Sequence, residues 1–217
     1  ATIQKYGVQP SKAVQQRLQA GLHGEIPDNP GPGDPVFQHV DNLIIANNRL
    51  LVDAASMKAR ELGFHTMILG TEIEGEAKEA ARLFAAIGSE VGRSGNPIPA
   101  PACILAAGET TVAVRGSGQG GRNQEMALAW AMSMASRRSL PPMCFASVAT
   151  DGTDGPTDAA GGLVDPETCE RAVAIGLNPA KFLQENDSYH FLTATGDLIV
   201  TGPTQTNLMD IQILLVG

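Results

Sequence analysis

Two short loops concentrate the residues whose types and spacing could do chemistry. The first is GSGQGGRNQE, residues 116–125. Gly116, Gly118, Gly120 and Gly121 carry no side chains to keep backbone N–H groups away from an anion, and a helix expected to start near Asn123 adds partial positive charge at its first turn. Arg122 stands at the mouth of this loop, where a guanidinium can clamp the same anion in two places and stabilise charge on a group being transferred. The loop therefore reads as a phosphate or carboxylate site. A flexible hairpin turn is the plainer alternative, but it does not require the directed polarity of Arg122 and Asn123.

The second loop is TDGTDGPTDAAGG, residues 150–162, which follows the apolar run MCFASVAT. In open α/β sheets ligands bind beyond the carboxyl ends of strands. Asp151, Asp154 and Asp158 put three carboxylates there, and Thr153 adds a hydroxyl. Such a set could hold Mg2+ through oxygen ligands, or supply Asp151 or Asp154 as the base that takes a hydroxyl proton. Turn formation by Asp-Gly and Gly-Pro is the competing explanation. The spacing does not match an EF-hand.

Other nucleotide signatures fail. Gly116, Gly118 and Gly121 satisfy G-x-G-x-x-G, but the acidic residue that should follow about 20 positions later to hold a ribose is missing, since Ser139 to Pro142 occupy that region. No G-x-x-x-x-G-K-[ST] occurs. Glu109 could orient Arg122 or stand solvated in a turn, and Thr204, Thr206 and Asn207 could bind a ligand or cap structure. His65 starts an apolar run and His190 lies beside Tyr189 and Phe191, and both read as core or surface residues rather than ligands. Ser117 lacks the frame of a nucleophile elbow.

These loops need elements to hold them. Residues 1–22 read as one amphipathic helix, with Val14, Leu18 and Leu22 four apart, and residues 24–35 as a linker rich in proline and glycine. Strands are expected at about 42–47, 65–69, 102–106, 110–115 and over MCFASVAT, with two late strands in DLIVTG and MDIQILLVG. Helices are expected over NRLLVDAASMKARELG, GEAKEAARLFAAIGSEV, NQEMALAWAMSMAS, PETCERAVAIG and Asn178 to Glu185. Alternation of strand and helix predicts a three-layer α/β/α domain with a mixed, largely parallel sheet over residues 36–217, after a helical extension and linker at 1–35.

Composition bounds the function. With 217 residues, 43% hydrophobic and 18% charged, the chain can bury a core without disulfides. A net charge of -8 and only 15 Lys and Arg argue against nucleic acid as a partner. No apolar run approaches a membrane span, and Cys103, Cys144 and Cys169 show no metal or redox spacing, which fits a cytoplasmic setting with reduced thiols.

GETTVAVRGSGQGGRNQEMALAWA, TDGTDGPTDAAGG and TGPTQTNLMDIQILL, taken together, resemble the MOFRL module of glycerate 2-kinases, some of which were earlier labelled hydroxypyruvate reductases. The likeness covers about residues 100–217, and IIANNRLLVDAASMKARELGF resembles the segment entering the module. It implies the C-terminal half of a two-domain enzyme that transfers a phosphoryl group from ATP, with Mg2+, to the 2-hydroxyl of D-glycerate. By the resemblance Arg122 is the catalytic arginine, and Asp151 and Asp154 fall in the acidic loop. Where the family commonly has Gly-Gly-Glu, this chain has Ala107-Gly108-Glu109. The resemblance also implies a missing N-terminal kinase domain with a glycine-rich loop and a catalytic lysine, so that the chain alone would be inactive; oligomer formation is left open. The rivals are an NAD(P)-dependent hydroxypyruvate reductase and a noncatalytic anion-binding module.

Overall fold

The most apolar runs of the chain become the inner strands of a six-stranded sheet, because only strands covered on both faces can bury every side chain. In the computed structural model, which describes residues 2–137 and 139–217, the strands are β1 (His65–Ile73), β2 (Ala102–Gly108), β3 (Met143–Ala149), β4 (Gly161–Val164), β5 (Leu198–Ile199) and β6 (Asp210–Val216). Their order is β1-β2-β6-β3-β4-β5. Every residue of β2 is buried.

The sheet is mixed, as expected, but its balance is the reverse of the expectation. Only β1 and β2 pair in parallel, whereas β2–β6, β6–β3, β3–β4 and β4–β5 are antiparallel. The cause is β6. It inserts between β2 and β3 and opposes both, so two strands that point the same way do not pair with each other.

Alternation along β2 separates the two faces. Ala102, Ile104 and Ala106 join a large cluster with Phe84 of α4 (Ala77–Ser94), Trp130 of α5 (Arg122–Met134), Phe145 and Leu214. Cys103, Leu105 and Ala107 pack instead with Val52 and Ala59 of α3 (Asn48–Glu61). Burial pushes the Cys103 thiol up to about 11. Helix α5 is the central helix: Trp130 stacks on Phe145 at 5.5 Å between ring centroids, and even its first-turn residues Asn123, Gln124 and Glu125 are buried. Three short helices, α6 (Thr168–Ala174), α7 (Pro179–Gln184) and α8 (Ser188–Thr195), follow β4.

Several local expectations change. The stretch 110–115 is not a strand and makes only a single bridge, Thr111 to Glu76, because both edges of β2 are already taken by β1 and β6. Residues 42–47 form no strand, and Leu43, Ile44 and Ile45 are exposed. The expected first helix is two, α1 (Thr2–Lys5) and α2 (Lys12–Leu22), interrupted where Gly7 takes φ +61° and Pro10 follows. Both β4 and α8 were unforeseen. Packing divides the chain into Ala1–Ile44 and Ile45–Gly217, and the sheet lies wholly in the second unit. No helix among the described residues is long and apolar enough to cross a membrane.

Candidate functional site

The insertion of β6 brings three connections to one edge of the sheet. Asp210, its first residue, pairs with Gly108 at the end of β2 and with Ala149 at the end of β3. The segments after β2 and after β3 therefore each begin one strand spacing from Asp210, one on either side of it. Gly108 allows the chain to leave β2 there: its φ is +153°, and a Cβ would collide with the Ile73 backbone. Ala107, one residue earlier, is an ordinary buried strand residue, so the absence of a second glycine leaves this turn intact.

Arg122 opens α5 directly above that edge. Its Nε donates to Asp210 Oδ2 at 2.6 Å and its Nη2 to Asp210 Oδ1 at 2.9 Å, the planar fork that a guanidinium and a carboxylate share. Glu109 Oε1 lies 3.3 Å from Nη2. Asp210 is fully buried while the Arg122 side chain keeps 28% of its surface, so the carboxylate is the fixed member and the guanidinium faces outward. Hydrogen bonding to Asp210, together with the charges of Asp210, Glu109 and Asp154, holds the Arg122 pKa above its ordinary value despite partial burial. Nη1 makes no hydrogen bond among the described residues.

The glycine loop is built mainly by close packing. A Cβ at Gly116 or Gly118 would run into the backbone of Glu185 and, for Gly118, into Asp187; at Gly120 it would strike Ser188, and at Gly121 the Asp154 carboxylate. The loop's amides are largely committed. Asn186 Oδ1 accepts from Arg115 N at 2.7 Å and Gly116 N at 3.0 Å, Glu185 O accepts from Gly118 N at 2.9 Å, and Asp187 Oδ1 accepts from Gln119 N at 2.9 Å. Among the described residues the N–H groups of Gly120, Gly121 and Arg122 carry no hydrogen bond. The part of the loop open to an anion is thus its last three residues, not its whole length.

Asp154 occupies the helix start that the sequence suggested for a ligand. Its Oδ1 accepts from Asn123 N and Nδ2, both at 3.2 Å, and its Oδ2 from Gln124 N at 2.9 Å and Nε2 at 3.0 Å. This is an N-terminal cap supplied from a distant loop. Burial raises the Asp154 pKa, opposed by the backbone and side-chain hydrogen bonds of Gln124 and Asn123. Asn123 is likewise occupied, since its Oδ1 accepts from Ser147 Oγ at 2.6 Å. Asp151 accepts from Thr153 N at 3.0 Å within its own turn, and Asp158 accepts from Tyr189 Oη at 2.8 Å. Asp151, Asp154 and Asp158 do not converge: among the described residues no three His, Cys, Asp or Glu side chains form a metal-holding group.

A cleft of about 1100 Å³ opens beside Arg122. Of the residues singled out from sequence, Gly118, Gly120, Gly121 and Arg122 line it; Gly116, Asn123, Asp151, Thr153, Asp154 and Asp158 do not. The acidic loop reaches the cleft through Gly155 and Pro156. Glu109 lines it too, as do Glu125 and Asn186, which sequence reasoning passed over. Asp210 was also missed, although a charge opening the apolar run DIQILLV is a legible anomaly.

Residues 102–210 match the MOFRL family. The D-glycerate 2-kinase of Thermotoga maritima is 38% identical over 217 residues, 99% of this chain and 48% of that protein. The glycerate 2-kinase of Pyrococcus horikoshii is 38% identical over 206 residues, 94% of this chain and 45% of that protein. The crystal structure of the Thermotoga maritima glycerate kinase superposes with a TM-score of 0.79, covering 99% of this chain and 49% of that one. The chain spans about half the length of the curated relatives it matches. A family match from the first residue of β2 to Asp210 takes in Glu109, Arg122, Asp154 and Asp210, and on that match the chain belongs to the MOFRL family.

Proposed function

We propose that this chain is the C-terminal part of a kinase that phosphorylates the 2-hydroxyl of D-glycerate with ATP, giving 2-phosphoglycerate and ADP. The observation that carries the reading is the fixed guanidinium of Arg122, held in a plane by buried Asp210 at the mouth of a large cleft. Phosphoryl transfer asks a protein mainly for positioning and for charge stabilisation that needs no rearrangement during the reaction. Arg122 meets both needs, with the free N–H groups of Gly120 and Gly121 beside it. The names of the relatives from Thermotoga maritima and Pyrococcus horikoshii support the choice of acceptor. Free thiols at Cys103, Cys144 and Cys169 accord with action in the cytoplasm.

Mg2+ in such an enzyme would neutralise charge on the nucleotide phosphates. The acidic loop does not fit as its cage, because Asp154 is spent on α5 and Asp158 on Tyr189. Arg122 binds and orients phosphate oxygens, Asp210 keeps Arg122 aimed, and the glycine loop forms the adjacent wall.

The reductase alternative draws on the G-x-G-x-x-G match, but those glycines are required by close contact with Glu185, Asp187 and Asp154, and the amides of Gly116 and Gly118 are taken. An assay that couples ADP release to D-glycerate, with phosphorus NMR of the product, tests the proposal on the complete protein. ADP formation with 2-phosphoglycerate as product is expected. Absence of transfer, or oxidation of a nicotinamide cofactor with hydroxypyruvate instead, would overturn it. Assaying the 217-residue chain alone beside the complete protein tests the expectation that the missing region is needed.

A further inference from the structure

With Asp154 committed to capping, the proposed transfer lacks a group to take the acceptor's proton. The carboxylates that line the cleft, and Asp210 behind Arg122, differ in what they are already bound to. Asp210 uses both oxygens on Arg122, and Glu109 is half exposed and paired with the same guanidinium. Glu72 and Glu74 line the cleft but stand in solvent.

Glu125 differs from all of these. It lies three residues after Arg122, hence on the same side of α5, and lines the cleft while only 4% of its surface is exposed. Its Oε2 accepts from Asn186 Nδ2 at 3.0 Å, and its Oε1 accepts no hydrogen bond among the described residues. Asn186 is fixed in turn, at φ +54°, by the two amides of Arg115 and Gly116 that its Oδ1 accepts. One oxygen is thus anchored and the other is left for a ligand. A helix-start glutamate that served only the helix dipole would not need a cleft position or an anchored orientation.

We infer that Glu125 is the general base of the transfer, its Oε1 accepting the proton of the acceptor hydroxyl. The inference rests on the kinase reading. As the hydroxyl oxygen forms its bond to the γ-phosphorus, the bond from that phosphorus to the β,γ-bridging oxygen breaks, the electron pair leaves with ADP, and the hydroxyl proton passes to Glu125. Arg122, on the same face, stabilises the phosphoryl oxygens during the exchange.

Burial raises the Glu125 pKa above the ordinary glutamate value, while the Asn186 hydrogen bond and Lys78 lower it and Glu76 and Asp154 raise it. A base so placed gives a rate that falls on the acid side.

The test measures kcat and kcat/KM against pH for the complete protein and for Glu125→Gln, which preserves the acceptor for Asn186. The variant should lose about 100-fold in kcat, the low end of general-base effects being about 10²-fold, and should lose the acid limb, with KM for the nucleotide little changed. Formate should restore part of the rate to Glu125→Ala. A folded Glu125→Gln enzyme with wild-type kcat and an unchanged acid limb overturns the inference while leaving the kinase reading intact. A wild-type protein that transfers no phosphoryl group to D-glycerate removes both. If neither variant folds, the wild-type profile decides: a rate constant with pH down through the ordinary glutamate range, about 4.3, overturns the assignment.

Discussion

Arg122 can act as a preset cation only while Asp210 holds it, because a free guanidinium would have to be ordered at each turnover. Two substitutions separate charge from geometry. Arg122→Lys keeps the positive charge opposite Asp210 but gives up the two-pronged fork. Its kcat in the complete protein should fall by about 100-fold, in the range seen when one preorganised donor is lost. Asp210→Asn should fall at least about tenfold without touching the ligand, since it removes one acceptor and frees the arginine to turn. Steady-state kinetics of both variants, with ordinary activity in either, would break the link between orientation and rate. Arg122 was legible because an arginine after a glycine run advertises an anion; Asp210, 88 residues away, was not, because its partner is set by strand insertion. Asp154 is the opposite case, since a capping carboxylate and a ligating one look alike until their donors are seen.

The buried carboxyls also make a claim about stability. Glu125 and Asp154 both have pKa values raised by burial, so each holds its proton more tightly folded than unfolded. Their protonation contributes stability in full below the unfolded values, near 4, and that contribution is lost as pH rises through the folded values. Glu76, lowered chiefly by its hydrogen bond with Lys78, works in the reverse direction. Comparing urea midpoints of the wild type and Glu125→Gln isolates one group. The advantage of the wild type should shrink as pH rises through that window, and a constant difference from pH ~4 upward would contradict the raised pKa.

At the scale of elements, the glycine loop and the segment 185–188 are a packing unit first and a wall of the cleft second. Gly121→Ala tests the loop's packing at its other contact, because its Cβ would meet the Asp154 carboxylate that caps α5. The change should lower stability by about 2 kcal/mol, within the usual cost of overpacking, and reduce turnover by moving the start of α5. A urea midpoint matching the wild type would mean that the cap can shift without loss. Sequence pattern found α5 and β3 because each is a long apolar run. It missed β4, where two of four residues are glycines and Gly161 could carry no Cβ without striking the Ser147 backbone. It overread TTVAVR, whose composition suits a strand but whose neighbour β2 offers no free edge.

The whole molecule turns on which strands lie side by side, and that information is spread across the chain. Alternating strands and helices correctly implied an α/β fold, but not that the last strand would separate β2 from β3. Nothing in DIQILLV names its neighbours, and the hydrophobic pattern that makes it a buried strand would suit several positions in a sheet. Its insertion nonetheless creates the candidate site, by carrying Asp210 between the ends of two strands and under Arg122. The same economy of contacts bears on residues 2–44. None of them is buried among the described residues, and both apolar clusters are made entirely by later residues. Residues 45–217 should therefore fold without the preceding segment, with an unfolding free energy within about 1 kcal/mol of the longer chain, since surface changes away from a core seldom cost more. Chemical denaturation of the two lengths is the direct comparison. Loss of cooperative unfolding on removing the first 44 residues would mean that the segment supplies part of the core, and the later clusters could no longer be treated as sufficient to hold β6, Asp210 and Arg122 in place.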